Sequence, residues 1–135
     1  MNEGLLLDTC AAIWWTAGQA LESRARSRIE RATRSNRTFV SPITAWEVAC
    51  LALRGRSPIK VRAFSWYDRM MELDGFQETA VDAEILTSSC EIGGLDDPTD
   101  RILVATARRF NLVFISRDSR ILDYGAARHV RVMEC

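Results

Sequence analysis

The chain has 135 residues, of which 47% are hydrophobic and 27% charged, a composition typical of globular proteins and not of disordered, collagen-like or disulfide-stapled ones. Its length fits a single domain over residues 1–135. Eighteen basic residues balance eighteen acidic ones, which argues against the broad positive field of a non-specific nucleic-acid binder.

The N-terminal third of the chain alternates short apolar runs with helical patterns. Leu5–Leu7 is an apolar run that ends at an acid, which is typical of a buried strand leading into a helix, here at about residues 11–15. Apolar residues at spacings of three and four predict a second helix over about residues 21–34. Phe39-Val40 predicts a second short strand after it.

The middle third carries two proline-marked helix starts. Ser41-Pro42 places a serine cap before a proline at the first helical position, so we predict a third helix over residues 42–53, apolar almost all round. Ser57-Pro58 is a second serine–proline pair and predicts a fourth, amphipathic helix that extends to about Leu73. A weak strand at about residues 76–80 and a fifth helix over about 81–91 follow.

The last third contains the strongest local signal in the chain, Asp97-Pro98-Thr99-Asp100. It combines a cap, a proline at the first helical position and an acid three residues after the cap, and it predicts a sixth helix to about residue 110. Residues 112–115 are typical of a strand buried on both faces, 118–124 of a short helix and 130–133 of a last strand. Strands that alternate with helices imply an α/β fold, a three-layer α/β/α sandwich with a short, mainly parallel sheet.

Neither the cysteines nor the N-terminus indicates export. The four cysteines are scattered without a CxxC pair, which favours reduced thiols over a zinc site or disulfides: Cys10, Cys50, Cys90 and Cys135. The first apolar run is three leucines long, and no run approaches the ~18 residues of a membrane span. We therefore expect a soluble, cytoplasmic protein with no membrane association.

Carboxylates are the residues left for chemistry, because His129 is the only histidine and Lys60 the only lysine. Asp8 follows the first strand, Asp100 lies in the first turn of the sixth helix, and Asp118 follows the strand at 112–115. In a parallel sheet, ligands bind outside the carboxyl ends of the strands, where these acids are expected to gather. Each acid taken alone is better explained as a helix cap or a favourable charge on a helix dipole than as part of a site.

Glu47 is harder to explain as a structural residue, because the third helix contains no other charge. An isolated carboxylate on so apolar a helix is costly unless it is paired with an arginine, lies at an exposed edge, is protonated or binds a cation. Several carboxylates at one end of a sheet repel one another, so the joint pattern favours a site for hard cations.

Four sequence blocks together resemble the PIN-domain ribonucleases, and within them the VapC-type toxins of bacterial toxin–antitoxin pairs. The blocks are LLLDT followed by Trp14-Trp15, VSPITAWEVA, DDPTDRILVATA and FISRDSRIL, and they cover nearly the whole chain in the family's order. The resemblance implies an acid after the first strand, a glutamate on the third helix, an aspartate opening the late helix and an acid after the fourth strand. These catalytic and metal-binding positions fall on Asp8, Glu47, Asp100 and Asp118.

The resemblance also implies an activity: endonucleolytic cleavage of RNA by water activated on Mg²⁺ or Mn²⁺. It implies a VapB-type antitoxin as partner and a homodimer. Accessory roles fall to Asp97, which already has a capping role, and to the hydroxyls of Thr9 and Ser116. Two departures from the family pattern, Cys10 in place of a frequent histidine and Ser116 in place of a frequent threonine, remove no carboxylate.

Arginines supply candidate RNA contacts. Arg101, Arg117 and Arg120 each lie within three residues of a proposed metal ligand, where a guanidinium can hold a substrate phosphate. A second cluster between Arg24 and Arg37 is either a solvated helix face or a rim that follows the phosphates.

Two other functions compete with the nuclease hypothesis. A PIN-like domain could act only as an RNA- or protein-binding module, but retention of all four acids argues against that alternative. A phosphotransfer fold, either receiver or phosphatase, needs a late-strand lysine or a second acid two residues after Asp8, and the chain has neither.

Overall fold

The computed structural model describes residues 3–127 and 129–135, which form a five-stranded parallel sheet flanked by seven helices. The strands are β1 (Leu5–Leu7), β2 (Thr38–Val40), β3 (Phe76–Glu78), β4 (Val113–Ser116) and β5 (Val132–Glu134). The helices are α1 (Thr9–Thr16), α2 (Ser23–Arg34), α3 (Pro42–Leu53), α4 (Ala63–Met71), α5 (Ala83–Ser89), α6 (Pro98–Phe110) and α7 (Ser119–Ala126).

The strand order is β3-β2-β1-β4-β5, with every neighbouring pair parallel. Strand β1 lies in the middle, where Leu5 pairs with Thr38 on one side and with Val113 on the other. The connections run outward from β1 in both directions, so the order reverses between β1 and β4. Such a reversal leaves a crevice at the carboxyl ends of the two strands.

Successive side chains of β1 and β4 point to opposite faces of the sheet and so contribute to two separate apolar cores. Leu5, Leu7 and Ile115 pack with α1 to α4 on one face of the sheet. Leu6 and Phe114 pack with α5 to α7 on the other face. The strands are apolar on both sides because both sides are covered, and this confirms the predicted three-layer sandwich.

The fourth helix is shorter than its sequence pattern predicts. It spans Ala63–Met71, and the prediction that it starts near Ser57 is wrong. The Ser57 hydroxyl accepts a hydrogen bond from the backbone N–H of Ile59 and donates one to its carbonyl, each at 3.1 Å. This local turn competes with helix formation, and the helix begins only after Arg62, whose side chain makes no capping hydrogen bond.

The remaining elements differ from prediction only at their ends. The third helix has the predicted bounds, with the Ser41 hydroxyl accepting from the Ile43 N–H at 3.1 Å. The fifth helix is shorter, because Asp82 caps it by accepting from the Ile85 N–H at 2.9 Å. None of the helices in the described ranges has both the length and the apolar character needed to cross a bilayer.

Candidate active site

A pocket of about 360 Å³ lies at the carboxyl ends of β1 and β4, in the crevice that the strand order creates. It brings together residues that are far apart in the chain. Its lining is Asp8, Thr9, Cys10, Trp14, Glu47, Asp97, Asp100, Leu103, Arg117 and Asp118. The four acids proposed as metal ligands and the accessory Asp97 and Thr9 therefore share one cavity.

Asp8 is the most buried acid of the pocket, with 8% of its surface exposed. It caps α1, its Oδ1 accepting from the Ala11 N–H at 2.7 Å. Its pKa is raised to about 6, mainly by burial and to a smaller extent by the charges of Glu47 and Asp118. Hydrogen bonds from the Ser116 hydroxyl and from Ala11 lower the pKa and partly offset these effects. Ser116 is fully buried and is not part of the pocket lining, and its hydroxyl also accepts a hydrogen bond from the Asp118 N–H at 3.1 Å.

Asp100 lies in the first turn of α6, where Asp97 forms the cap. Burial is the main reason that its pKa rises to about 7, and the neighbouring charges of Asp97, Asp118 and Glu47 contribute the rest. A carboxyl with that pKa takes up protons near neutrality. The pocket therefore holds more negative charge than its own residues neutralise.

Glu47 is half-buried on α3, facing the pocket. Burial raises its pKa, the charge of Asp97 raises it further, and a hydrogen bond from the Thr9 hydroxyl lowers it. The same Thr9 hydroxyl lies 3.3 Å from the Thr44 hydroxyl on α3. Among the described residues no arginine forms an ion pair with Glu47, so the structural explanation by a salt bridge does not apply.

Asp118 differs from the other acids because it has its own cation. Arg120 donates from Nη2 to Oδ2 at 3.0 Å and from Nε to Oδ1 at 3.3 Å. These bonds, with the Arg120 backbone N–H at 2.9 Å, hold the pKa of Asp118 below its ordinary value. The pKa of Asp118 is therefore lowered, whereas burial raises the pKa values of Asp8, Glu47 and Asp100.

The three arginines predicted to contact RNA occupy different environments. Arg117 lines the pocket, with Cζ 4.0 Å from the centroid of the Trp14 ring. Arg120 is engaged with Asp118. Arg101 points away, donating from Nη1 to the carbonyls of residues 95 and 96 at 2.8 and 2.9 Å, so it fixes the loop before α6. Neighbouring residues on a helix face different directions, which is why proximity of Arg101 to Asp100 in the sequence did not place it in the pocket.

Trp14 and Cys10 are pocket residues that the sequence analysis did not assign to the site. They lie four residues apart on α1, the helix that Asp8 caps, and therefore share one helix face; this mutual spacing was the available signal. None of the arginines at positions 24–37 lines the pocket. Arg28 instead pairs with Glu3 at 2.8 Å, just before the amino end of β1 and on the opposite edge of the sheet.

The donor set is chemically suited to a hard divalent cation, because it consists of carboxylate and hydroxyl oxygens. A cation would also relieve the repulsion that raises the pKa values of Asp8 and Asp100. Within residues 3–127 and 129–135, no three Asp, Glu, His or Cys side chains converge closely enough to ligate one ion as they stand. Mg²⁺ does not need such convergence, since it keeps several waters and takes only one or two protein carboxylates.

Comparisons with known proteins agree with this geometry. A model of the PIN domain family matches residues 5–127. Ribonuclease VapC22 of Mycobacterium tuberculosis is 30% identical over 133 residues, covering 95% of this chain and 97% of the relative.

Two solved structures share the fold. The crystal structure of VapBC2 from Rickettsia felis bound to a promoter DNA fragment superposes with a TM-score of 0.68 at 12% identity, over 96% of this chain and 97% of that one. FitAB bound to the IR36 DNA fragment gives 0.61 at 18% identity, over 96% and 94%. At these identities the likeness is one of fold.

Proposed function

The chain belongs to the PIN-domain family and is of the VapC type, and from that premise we propose that it is a metal-dependent endoribonuclease toxin restrained by a VapB-type antitoxin. One observation carries the proposal. Acids from β1, α3, α6 and the end of β4 meet in a single pocket, and the pKa values of Asp8 and Asp100 are raised to about 6 and 7. The proposal treats residues 1–135 as one nuclease domain.

We assign direct metal contacts to Asp8 and Asp100, because their excess charge is the least compensated by the protein. Bound there, Mg²⁺ or Mn²⁺ would supply a Lewis acid for the scissile phosphate and a more acidic water. Glu47 and Asp118 complete the site or act through water. The Thr9 and Ser116 hydroxyls orient Glu47 and Asp8 by the hydrogen bonds described above.

Asp97 acts indirectly, because it caps α6 and so fixes the turn that presents Asp100. Arg120 keeps Asp118 ionised and lies exposed at the pocket mouth, where it can exchange that contact for a substrate phosphate. Arg101 stabilises the loop before α6 and has no direct part in RNA binding.

The relatives support an antitoxin as one of the proposed partners. The similar solved proteins are VapBC2 and FitAB, and the sequence relative is named a ribonuclease. We accordingly propose RNA as substrate, a VapB-type antitoxin as the restraining protein, a homodimer as the assembly and the cytoplasm as the location.

The test is incubation of the purified, antitoxin-free protein with total cellular RNA in Mg²⁺ or Mn²⁺, with and without EDTA, and mapping of fragment ends by sequencing. Asp100→Asn is the test variant. Asp82→Asn is a matched control, because Asp82 is likewise an acid at the start of a helix but lies outside the pocket.

Discrete cuts that require both the metal and Asp100, and that survive in Asp82→Asn, are expected. Absence of metal-dependent cutting in folded protein would contradict the proposal and favour the alternative of an RNA- or protein-binding module.

A further inference from the structure

Trp14 and Arg117 form a cation–π pair in the lining of the acidic pocket. Trp14 lies on α1 and Arg117 directly after β4, and both line the cavity that holds Asp8 and Asp100. The guanidinium carbon lies 4.0 Å from the centroid of the indole ring, well inside the ~6 Å range of cation–π attraction. The pair therefore joins two distant parts of the chain beside the proposed reaction centre.

Arg117 is held in place although it is exposed to solvent. Its Nη2 donates to the carbonyl oxygen of Cys135 at 2.7 Å, which fixes the guanidinium while it lies over the ring. In the described part of the chain no acidic side chain forms an ion pair with Arg117. These two contacts present a planar cation at a defined position, so the rotamer entropy of the long side chain is already lost before a ligand binds.

The position of the pair suits a base and not only a phosphate. Proteins recognise single-stranded RNA by stacking unpaired bases on aromatic rings and on guanidinium planes. One side of the Arg117 group is occupied by Trp14, and the residue is otherwise open to solvent at the pocket edge. A nucleotide whose phosphate lies at the acids would bring its neighbouring base to this edge.

We propose that Trp14 and Arg117 form a base-stacking ledge that binds the nucleobase next to the scissile phosphate of single-stranded RNA. The inference rests on the proposed function and deepens it by assigning a substrate-contacting role to Trp14. It also changes the expected role of Arg117, which acts through its plane more than through its charge. Trp14 contributes by supporting that plane.

The test measures how much the bases contribute to binding. The probes are a labelled, mixed-sequence RNA decanucleotide and a ribose-phosphate decamer of equal charge without bases. Affinities are measured by fluorescence anisotropy in an Asp100→Asn background, which binds without cutting. One stacked base should make the RNA bind about tenfold tighter than the abasic probe.

Arg117→Lys is the decisive variant, because lysine keeps the charge and loses the plane. We expect the ratio of the two affinities to fall close to one, while the salt dependence of abasic-probe binding stays unchanged. Trp14→Leu should lower the ratio in the same way. Arg109→Lys is the matched control, since Arg109 lies 5.6 Å over Phe110 at the far end of α6, and it should leave the ratio unchanged.

The outcomes distinguish failure of the base-stacking proposal from failure of the proposed nuclease function. A ratio that survives in Arg117→Lys overturns the ledge, even if Trp14→Leu fails to fold by circular dichroism. A parent ratio of one in a protein that cuts total RNA overturns the ledge and leaves the proposed function standing. If the wild type neither binds nor cuts RNA, the proposed function fails and the ledge fails with it.

Discussion

Removing the charge of Asp100 should stabilise the metal-free protein. In the fold its carboxyl has a pKa of about 7, against 3.8 when unperturbed, mainly because it is buried and secondly because Asp97, Asp118 and Glu47 repel it. At pH 8 the group is ionised in the folded and unfolded states alike, but ionisation is less favourable in the fold. Asp100→Asn removes that penalty at nearly constant shape.

The magnitude follows from the difference between the two pKa values. A carboxyl that ionises near pH 7 instead of 3.8 carries an unscreened penalty of roughly 4 kcal/mol. Asp100 is partly exposed, so solvent screens much of this penalty. The substitution also removes a favourable negative charge at the N-terminus of α6, which reduces the gain in stability by a few tenths of a kcal/mol. We expect Asp100→Asn to raise the free energy of unfolding by about 1–2 kcal/mol at pH 8.

Urea unfolding in EDTA at a series of pH values is the assay, and the gain corresponds to a midpoint shift of about 0.5–1 M. The gain should shrink as the pH falls through 7 and vanish below about 4, where the wild-type carboxyl is protonated in both states. Asp118→Asn is the control with the opposite sign, because its pairing with Arg120 makes its charge favourable. An Asp100→Asn protein no more stable than wild type at pH 8 would refute the reasoning.

Three further predictions concern other parts of the molecule. Arg120→Ala should raise the pKa of Asp118 to its ordinary value or above, as followed by NMR titration, and an unchanged pKa would contradict the assigned pairing. Phe114→Ala removes a fully buried ring from β4 and should cost about 3–5 kcal/mol of unfolding free energy in urea. Gly75→Ala should lower the melting temperature more than Gly55→Ala. Both glycines have positive φ, but a Cβ at position 75 would lie 2.0 Å from a backbone carbonyl oxygen, whereas position 55 is open; equal losses would contradict the steric argument.

The fold was predictable where its signals are local. The Ser41-Pro42 cap starts α3 at the predicted residue because the serine hydroxyl and the proline act within one turn. The same reasoning failed at Ser57: its hydroxyl accepts from the Ile59 N–H as Ser41 accepts from that of Ile43, but it also donates to the Ile59 carbonyl, and the helix begins only at Ala63. Sequence patterns do not distinguish these two uses of a serine before proline, because the choice depends on what the following residues pack against.

The positions of the carboxylates in the candidate site could be predicted from the sequence, but the directions in which the arginine side chains point could not. Acids at strand ends converge because parallel topology requires it, so Asp8 and Asp118 could be placed near each other from the sequence. The directions of the arginines depend on tertiary contacts. Arg101 donates to the loop before α6, and Arg117 lies over Trp14, a residue more than one hundred positions away in the sequence.

The central pairing of β1 with β4 also sets the order in which the molecule can be completed. Leu5 to Leu7 are synthesised first, yet their partners at Val113 to Ile115 appear more than one hundred residues later. Closing so long a loop is slow, because the chain loses conformational entropy before the contacts between the two strands can stabilise the pair. Asp8 gains its Ser116 neighbour only when β4 has been made and docked. A nascent or truncated chain that ends before β4 therefore has no pocket, and the four acids come together only after β4 has been made.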